Sequence, residues 1–152
     1  MAIYLVQHGK ALSKEQDPER GLSVEGRAEA QRAATAARAL GLEVTRICHS
    51  GKKRARETAE TFAAVLNPPQ GVAAITGISP NDDVAPFASG LDAASGVMVI
   101  GHLPFLDRLA ALLVNGNAER PVCLFHNAGV VALDRHPATG GWVIRSMVPV
   151  RV

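Results

Sequence analysis

Two short runs of β-branched and apolar residues, 3–6 and 97–101, constrain this chain more than anything else in it. Each leads into a histidine beside glycine: the first continues as Gln7-His8-Gly9, the second ends Gly101-His102. Apolar, β-branched and stopped by glycine, both read as short buried strands. A strand that ends at a sheet edge delivers its next residue to the place where open α/β sheets bind ligands. Two imidazoles at such an edge make His8 and His102 the first candidates for chemistry.

The remaining pattern alternates between helix and strand. Ser23 is placed to cap a helix running to 38 or 40, where its side-chain oxygen takes a free N–H of the first turn. Ala30, Ala33, Ala34, Ala37 and Leu40 recur at helical spacing before Gly41. Residues 44–49 read as a strand. Ser50 is expected to cap a second helix, about 52–66, which Asn67-Pro68-Pro69 ends. A short strand is expected at 72–75, an irregular loop at 79–83 and a helix at 84–94. Pro104 suits the first turn of a helix carrying Leu106, Leu109, Ala110 and Leu113. The tail reads as strands at 122–125, 129–134 and 142–148, with a turn at 137–141. Alternation followed by clustered strands predicts a three-layer α/β/α architecture, its sheet mostly parallel with an antiparallel edge.

Composition narrows the class. At 152 residues and 47% apolar, the chain suits one domain, residues 1–152, with a substantial core. A net charge of +2 is too small to imply a nucleic-acid partner. The basic run Arg46, Lys52, Lys53, Arg54 and Arg56 contains no interleaved aromatic, which argues against single-stranded nucleic acid. Cys48 and Cys123 have the spacing of neither a metal site nor a redox pair, and fit a reducing compartment. The N-terminus lacks a signal-peptide pattern, and no apolar run approaches the ~20 residues of a membrane span. The expectation is a cytoplasmic protein with no membrane partner.

Phosphate chemistry suits these residues. Neutral imidazole attacks phosphorus and forms a phosphoramidate that water cleaves. Nearby cations would keep His8 neutral. Ser50-Gly51-Lys52-Lys53-Arg54 opens a helix, where free N–H groups and the helix dipole hold anions. Arg54, in the first turn, could fork two phosphate oxygens. His102 would donate to phosphoryl oxygens as charge builds. The plain alternative for each histidine is a side chain satisfied by the backbone. That reading suits His126 and His136, whereas His49 adjoins the anion loop. No histidine pair has ligand spacing, so no metal is expected. There is no P-loop, nucleophile elbow or dinucleotide fingerprint.

These stretches resemble the histidine phosphatase superfamily, also called phosphoglycerate-mutase-like, and within it the small SixA branch of phosphohistidine phosphatases. Leu5-Val6-Gln7-His8-Gly9 resembles the opening motif, which normally reads Arg-His-Gly. Residues 17–23 resemble the segment before the first helix, residues 50–58 the Ser-Pro-x-x-Arg-Ala-x-x-Thr segment, residues 79–82 the Pro-Asn-Asp loop, and residues 101–104 the Gly-His-Asn-Pro segment. The resemblance implies a phosphoglycerate-mutase-like fold, His8 as phosphorylated nucleophile, and Arg54 and His102 as the phosphoryl clamp. Gln7, Gly9, Arg20, Ser50 and Asn81 would complete the substrate site. It implies no metal or cofactor. The implied partner is a phosphohistidine-bearing protein, with a small phosphorylated molecule as the alternative and the chain acting as a monomer. Larger members carry a catalytic acid in the loop that Asn81, Asp82 and Asp83 occupy.

One departure stands out. Gln7 replaces the motif arginine, keeping a donor but losing a charge and a guanidinium fork. Losing a charge-assisted bond costs roughly 1.5–3 kcal/mol, about ten- to a hundredfold. Lys10 and Lys52 are the nearby cations that would restore charge. If none does, the chain becomes a phosphate- or phosphohistidine-binding module without turnover.

Overall fold

A computed structural model describes residues 1–148. The elements run β1 (Ile3–Gln7), α1 (Val24–Ala39), β2 (Arg46–His49), α2 (Lys53–Leu66), β3 (Val72–Ala74), α3 (Ala85–Ser89), β4 (Val97–Gly101), α4 (Phe105–Asn115), β5 (Val130–Arg135) and β6 (Trp142–Val148). The strands form a six-stranded sheet in the order β3-β2-β4-β1-β5-β6. The first four in that order are parallel, β5 lies antiparallel to β1, and β6 antiparallel to β5. This is the expected mostly parallel sheet with an antiparallel edge.

Side-chain alternation builds the two flanking layers. Tyr4, Val6, Ile47, Met98 and Ile100 pack on one face against Ala30, Ala33 and Ala34 of α1 and Ala55, Ala59 and Phe62 of α2. Ile3, Leu5 and Val99 point the other way, into Phe105, Leu106, Leu109 and Ala110 of α4 and Phe87 of α3. β1 and β4 are neighbours, yet the helices that come after them leave for opposite faces. A crevice therefore opens beyond their carboxyl ends, as the topology of open α/β sheets requires.

Close approach holds the loop after β1 at that edge. A Cβ on Gly26 of α1 would stand 2.2 Å from the Lys10 carbonyl oxygen, so only glycine allows this contact. Ser23 caps α1 as expected, its Oγ accepting from the Gly26 N–H at 3.0 Å. The same hydroxyl donates to the Lys10 carbonyl at 3.0 Å, tying the loop to the helix start.

Three expectations are corrected. Residues 122–125 are not a strand: Val122, Cys123 and Phe125 pack from an irregular segment into the α4-side core, and Leu124 is left 77% exposed. The edges of β5 are already taken by β1 and β6, which leaves this segment no ladder beside them. The helix expected at 84–94 is only Ala85–Ser89, because Gly90 ends it. Ser50 does not cap α2; Lys52 is the N-cap, and no side chain bonds there. Among the described residues, no helix is long and apolar enough to cross a membrane.

Candidate active site

β1 and β4 end in register, with Gln7 opposite Gly101, so His8 and His102 emerge side by side. The His8 N–H donates to the Gly101 carbonyl at 3.0 Å, and the two rings stand 5.0 Å apart between centroids. His8 Nδ1 lies 2.7 Å from the Gly9 carbonyl oxygen. A carbonyl only accepts, so Nδ1 carries the proton and Nε2 keeps its lone pair. Arg54 Nε donates to that Nε2 at 3.3 Å. Burial, reinforced by the Arg54 and Arg20 charges, pushes the His8 pKa below its ordinary value, against the Gly9 bond that raises it.

His102 is more deeply enclosed, at 2% exposure. Its Nε2 meets Ser50 Oγ at 2.5 Å, while its Nδ1 is buried without a partner among the described residues. Burial first, then the neighbouring His8, Arg54 and Lys52, push its pKa down to about 3. Ser50 thus points its hydroxyl at His102 instead of capping the helix. The Gly51 backbone makes the required turn at φ +91°, and its N–H donates to His49 Nδ1 at 3.1 Å. His49 shapes the loop.

Arg54 lies in the first turn of α2, as expected. Arg20 is held in the left-handed region at φ 52°, with its Nε donating to the Leu12 carbonyl at 3.2 Å. A non-glycine residue in that region carries backbone strain, which the surrounding loop must hold. Gly9 is packed against Gly26 and Leu22. Gln7 ends β1 next to His8 in the chain, and its Oε1 is buried without a partner among the described residues. Other nearby cations are turned elsewhere: Lys10 Nζ pairs with Glu25 at 3.0 Å and Lys53 Nζ with Asp17 at 2.9 Å.

The structure does not tie Asn81 to these groups; it is exposed in a turn. Its acidic neighbours are used locally. Asp82 Oδ2 accepts the Ser79 N–H at 2.9 Å, and Asp83 Oδ1 accepts the Ala85 N–H at 3.1 Å. His136 Nδ1 accepts turn N–H groups, and His126 is exposed. Among the described residues, no group of three or more His, Cys, Asp or Glu could hold a metal ion.

Sequence reasoning assigns no role to two residues that matter here. Thr58, fully buried, accepts the Gly9 N–H at 3.0 Å and donates to the Arg54 carbonyl at 2.8 Å, joining the two loops. Its position four residues after Arg54 on one helix face is the signal that could have found it. Asn127 donates from Nδ2 to the His8 carbonyl at 3.0 Å across a separation of 119 residues, and no local signal announces it.

A family model described as the histidine phosphatase superfamily (branch 1) matches residues 3–75. Phosphohistidine phosphatase SixA of Escherichia coli (strain K12) is 30% identical over 122 residues, covering 76% of each chain. A solved structure of the protein histidine phosphatase SixA complexed with tungstate superposes with a TM-score of 0.81 at 24% identity, over 99% of this chain and 97% of that one. The alpha-ribazole phosphatase of Shigella flexneri superposes with a TM-score of 0.74 at 15% identity, over 100% and 98%. These two structural likenesses establish a shared fold.

Proposed function

The chain belongs to the histidine phosphatase superfamily, and from that premise we propose that it removes a phosphoryl group from phosphohistidine on a protein, through a covalent intermediate on His8. The observation that carries the reading is the ring of His8. Nδ1–H is committed to the Gly9 carbonyl at 2.7 Å, and Nε2 offers its lone pair beside Arg54.

The P–Nε2 bond of His8 forms as the P–N bond of the substrate breaks, and the departing imidazole nitrogen takes a proton from solvent. Water then attacks phosphorus, the P–Nε2 bond breaks, and inorganic phosphate leaves with His8 restored. Arg54, Arg20 and His102 bind the phosphoryl oxygens as their charge grows. No step calls for a metal or cofactor.

The imidazole released from a phosphohistidine is a better leaving group than an alkoxide, which needs a strong general acid. Asp82 and Asp83 accept backbone N–H groups in their own turn, which supports a phosphoramidate over a small phosphate ester. Gln7 supports a second reading, a phosphohistidine-binding module without turnover, because the motif guanidinium is missing.

Rapid-quench single turnover with a ³²P-phosphohistidine carrier protein separates these. Label passing through wild type but not His8→Ala supports the covalent phosphatase. Saturable binding without transfer, with transfer appearing in Gln7→Arg, supports the binding module.

A further inference from the structure

Resting on the phosphoryl pocket proposed above, we infer that Lys52 supplies, from the rim, the positive charge that a glutamine at position 7 withholds from the floor. Gln7, the residue before His8, contributes no charge, and its Oε1 is buried without a partner among the described residues. A dianionic phosphoryl group entering there meets one cation fewer than the motif arginine would provide.

The cations at this end of the sheet are not equally free. Arg54 Nε is on His8, and Arg20 Nε is on the Leu12 carbonyl. Lys10 is paired with Glu25 at 3.0 Å. Lys53 sits between Asp17 at 2.9 Å and Glu19 at 3.6 Å, and Arg56 faces Glu60 at 3.7 Å. Lys52 is exposed and has no ion pair among the described residues.

Its backbone is already at the site. Ser50, two residues before it, touches His102, and Arg54, two residues after it, touches His8. The left-handed turn at Gly51 brings the Lys52 N–H to 3.4 Å from Ser50 Oγ. The ammonium charge is felt inside the pocket, where it helps disfavour imidazolium at His102. A flexible four-carbon stem lets that point charge meet the outer phosphoryl oxygens.

A point charge on a mobile stem differs from a guanidinium fork. It attracts bound substrate and transition state about equally, so its loss should appear in binding and KM more than in kcat. Charge also explains why position 52 should matter only while position 7 is neutral.

Tungstate serves as the probe, with its Kd measured by titration calorimetry at low salt. The set is wild type, Lys52→Met, Lys52→Arg, Gln7→Arg, Gln7→Arg with Lys52→Met, and Lys10→Met. Lys52→Met should weaken tungstate roughly tenfold, as loss of a charge-assisted contact predicts. Lys52→Arg should restore affinity, and Lys10→Met should leave it unchanged. In the Gln7→Arg background, Lys52→Met should cost no more than about twofold, the non-additivity expected of groups sharing one task. An equal loss in both backgrounds, or no loss in wild type, overturns the inference. Failure of wild type to bind tungstate at all would instead remove the pocket reading beneath it.

Discussion

The two strand ends make a controlled comparison, because one local pattern yields two opposite imidazoles. At the end of β1, His8 binds its own chain through Nδ1 and accepts the Arg54 Nε–H at Nε2. At the end of β4, His102 is buried, its Nδ1 unpartnered among the described residues and its Nε2 on Ser50. A buried N–H without an acceptor is costlier than an unused lone pair. The His102 proton therefore belongs on Nε2, donating to Ser50 Oγ. His8 is the Nδ1–H tautomer and His102 the Nε2–H tautomer: one presents a lone pair, the other a donor. The difference comes from the chain just after each histidine. A glycine carbonyl folds back onto His8, whereas His102 runs directly into α4.

Removing each ring tests this most severely. His8→Ala should abolish labelled enzyme and cut single-turnover dephosphorylation by about 10⁴-fold or more, as loss of a nucleophile does. His102→Ala should still form labelled enzyme, but roughly 10²–10³-fold more slowly, the usual cost of losing one oxyanion donor. Equal losses, or label retained in His8→Ala, would end the division of labour.

The next largest effect is on pH. Both histidines are held below the ordinary value, so both are neutral at pH 7. Since His8 must be unprotonated to attack, kcat/KM should be flat above pH 6.5. It should fall about tenfold per pH unit once the pH drops through the lowered His8 pKa. The same shifts act on stability. The unfolded chain binds the His102 proton near pH 6.5, the folded chain only near pH 3. The contribution is whole above pH 6.5 and is lost as pH falls from 6.5 toward about 3. Denaturant titrations should show this slope in wild type and a shallower one in His102→Gln.

How much of this is legible in the sequence depends on the range of each interaction. β1, β4 and the α1 cap are local patterns of apolar run, glycine and serine, and they read correctly. Arg54 in the first turn of α2 is equally local. Ser50 reads as a cap because a serine before a helix normally is one; here a histidine 52 residues away competes for the same hydroxyl. Asn127 carries no local pattern, since its role exists only once β5 returns beside β1. Residues 122–125 have strand composition but no partner, and pairing is a property of the sheet, not of the segment. Gln7 is visible as a departure, but only packing reveals a buried carbonyl.

A smaller effect should come from Thr58, which ties the Gly9 N–H beside His8 to the Arg54 backbone. Thr58→Val keeps the volume and removes the hydroxyl, leaving the buried Gly9 N–H without its acceptor. That costs about 1–3 kcal/mol of stability. The Gly9 carbonyl orients His8 Nδ1, so the rate of enzyme labelling should fall roughly tenfold, while tungstate binding, which needs Arg54 and His102, should change less than about threefold. A loss of binding as large as the loss of rate would place Thr58 in general packing.

Ser50 serves the other ring and should matter least. Ser50→Ala removes the resting acceptor of the His102 Nε2–H without touching its burial. A neutral donor–acceptor pair is worth about 0.5–1.5 kcal/mol, so stability should fall by that amount and kcat by roughly three- to tenfold. The more telling readout is long-range ¹H–¹⁵N NMR of the imidazoles. In wild type, His8 should show protonated Nδ1 and His102 protonated Nε2. In Ser50→Ala, the His8 pattern should persist while His102 becomes a mixture of tautomers, because nothing then distinguishes its nitrogens except burial. If both rings show protonated Nδ1 in wild type, His102 accepts from Ser50, the donor role passes to the hydroxyl, and the opposition between the two strand ends is lost.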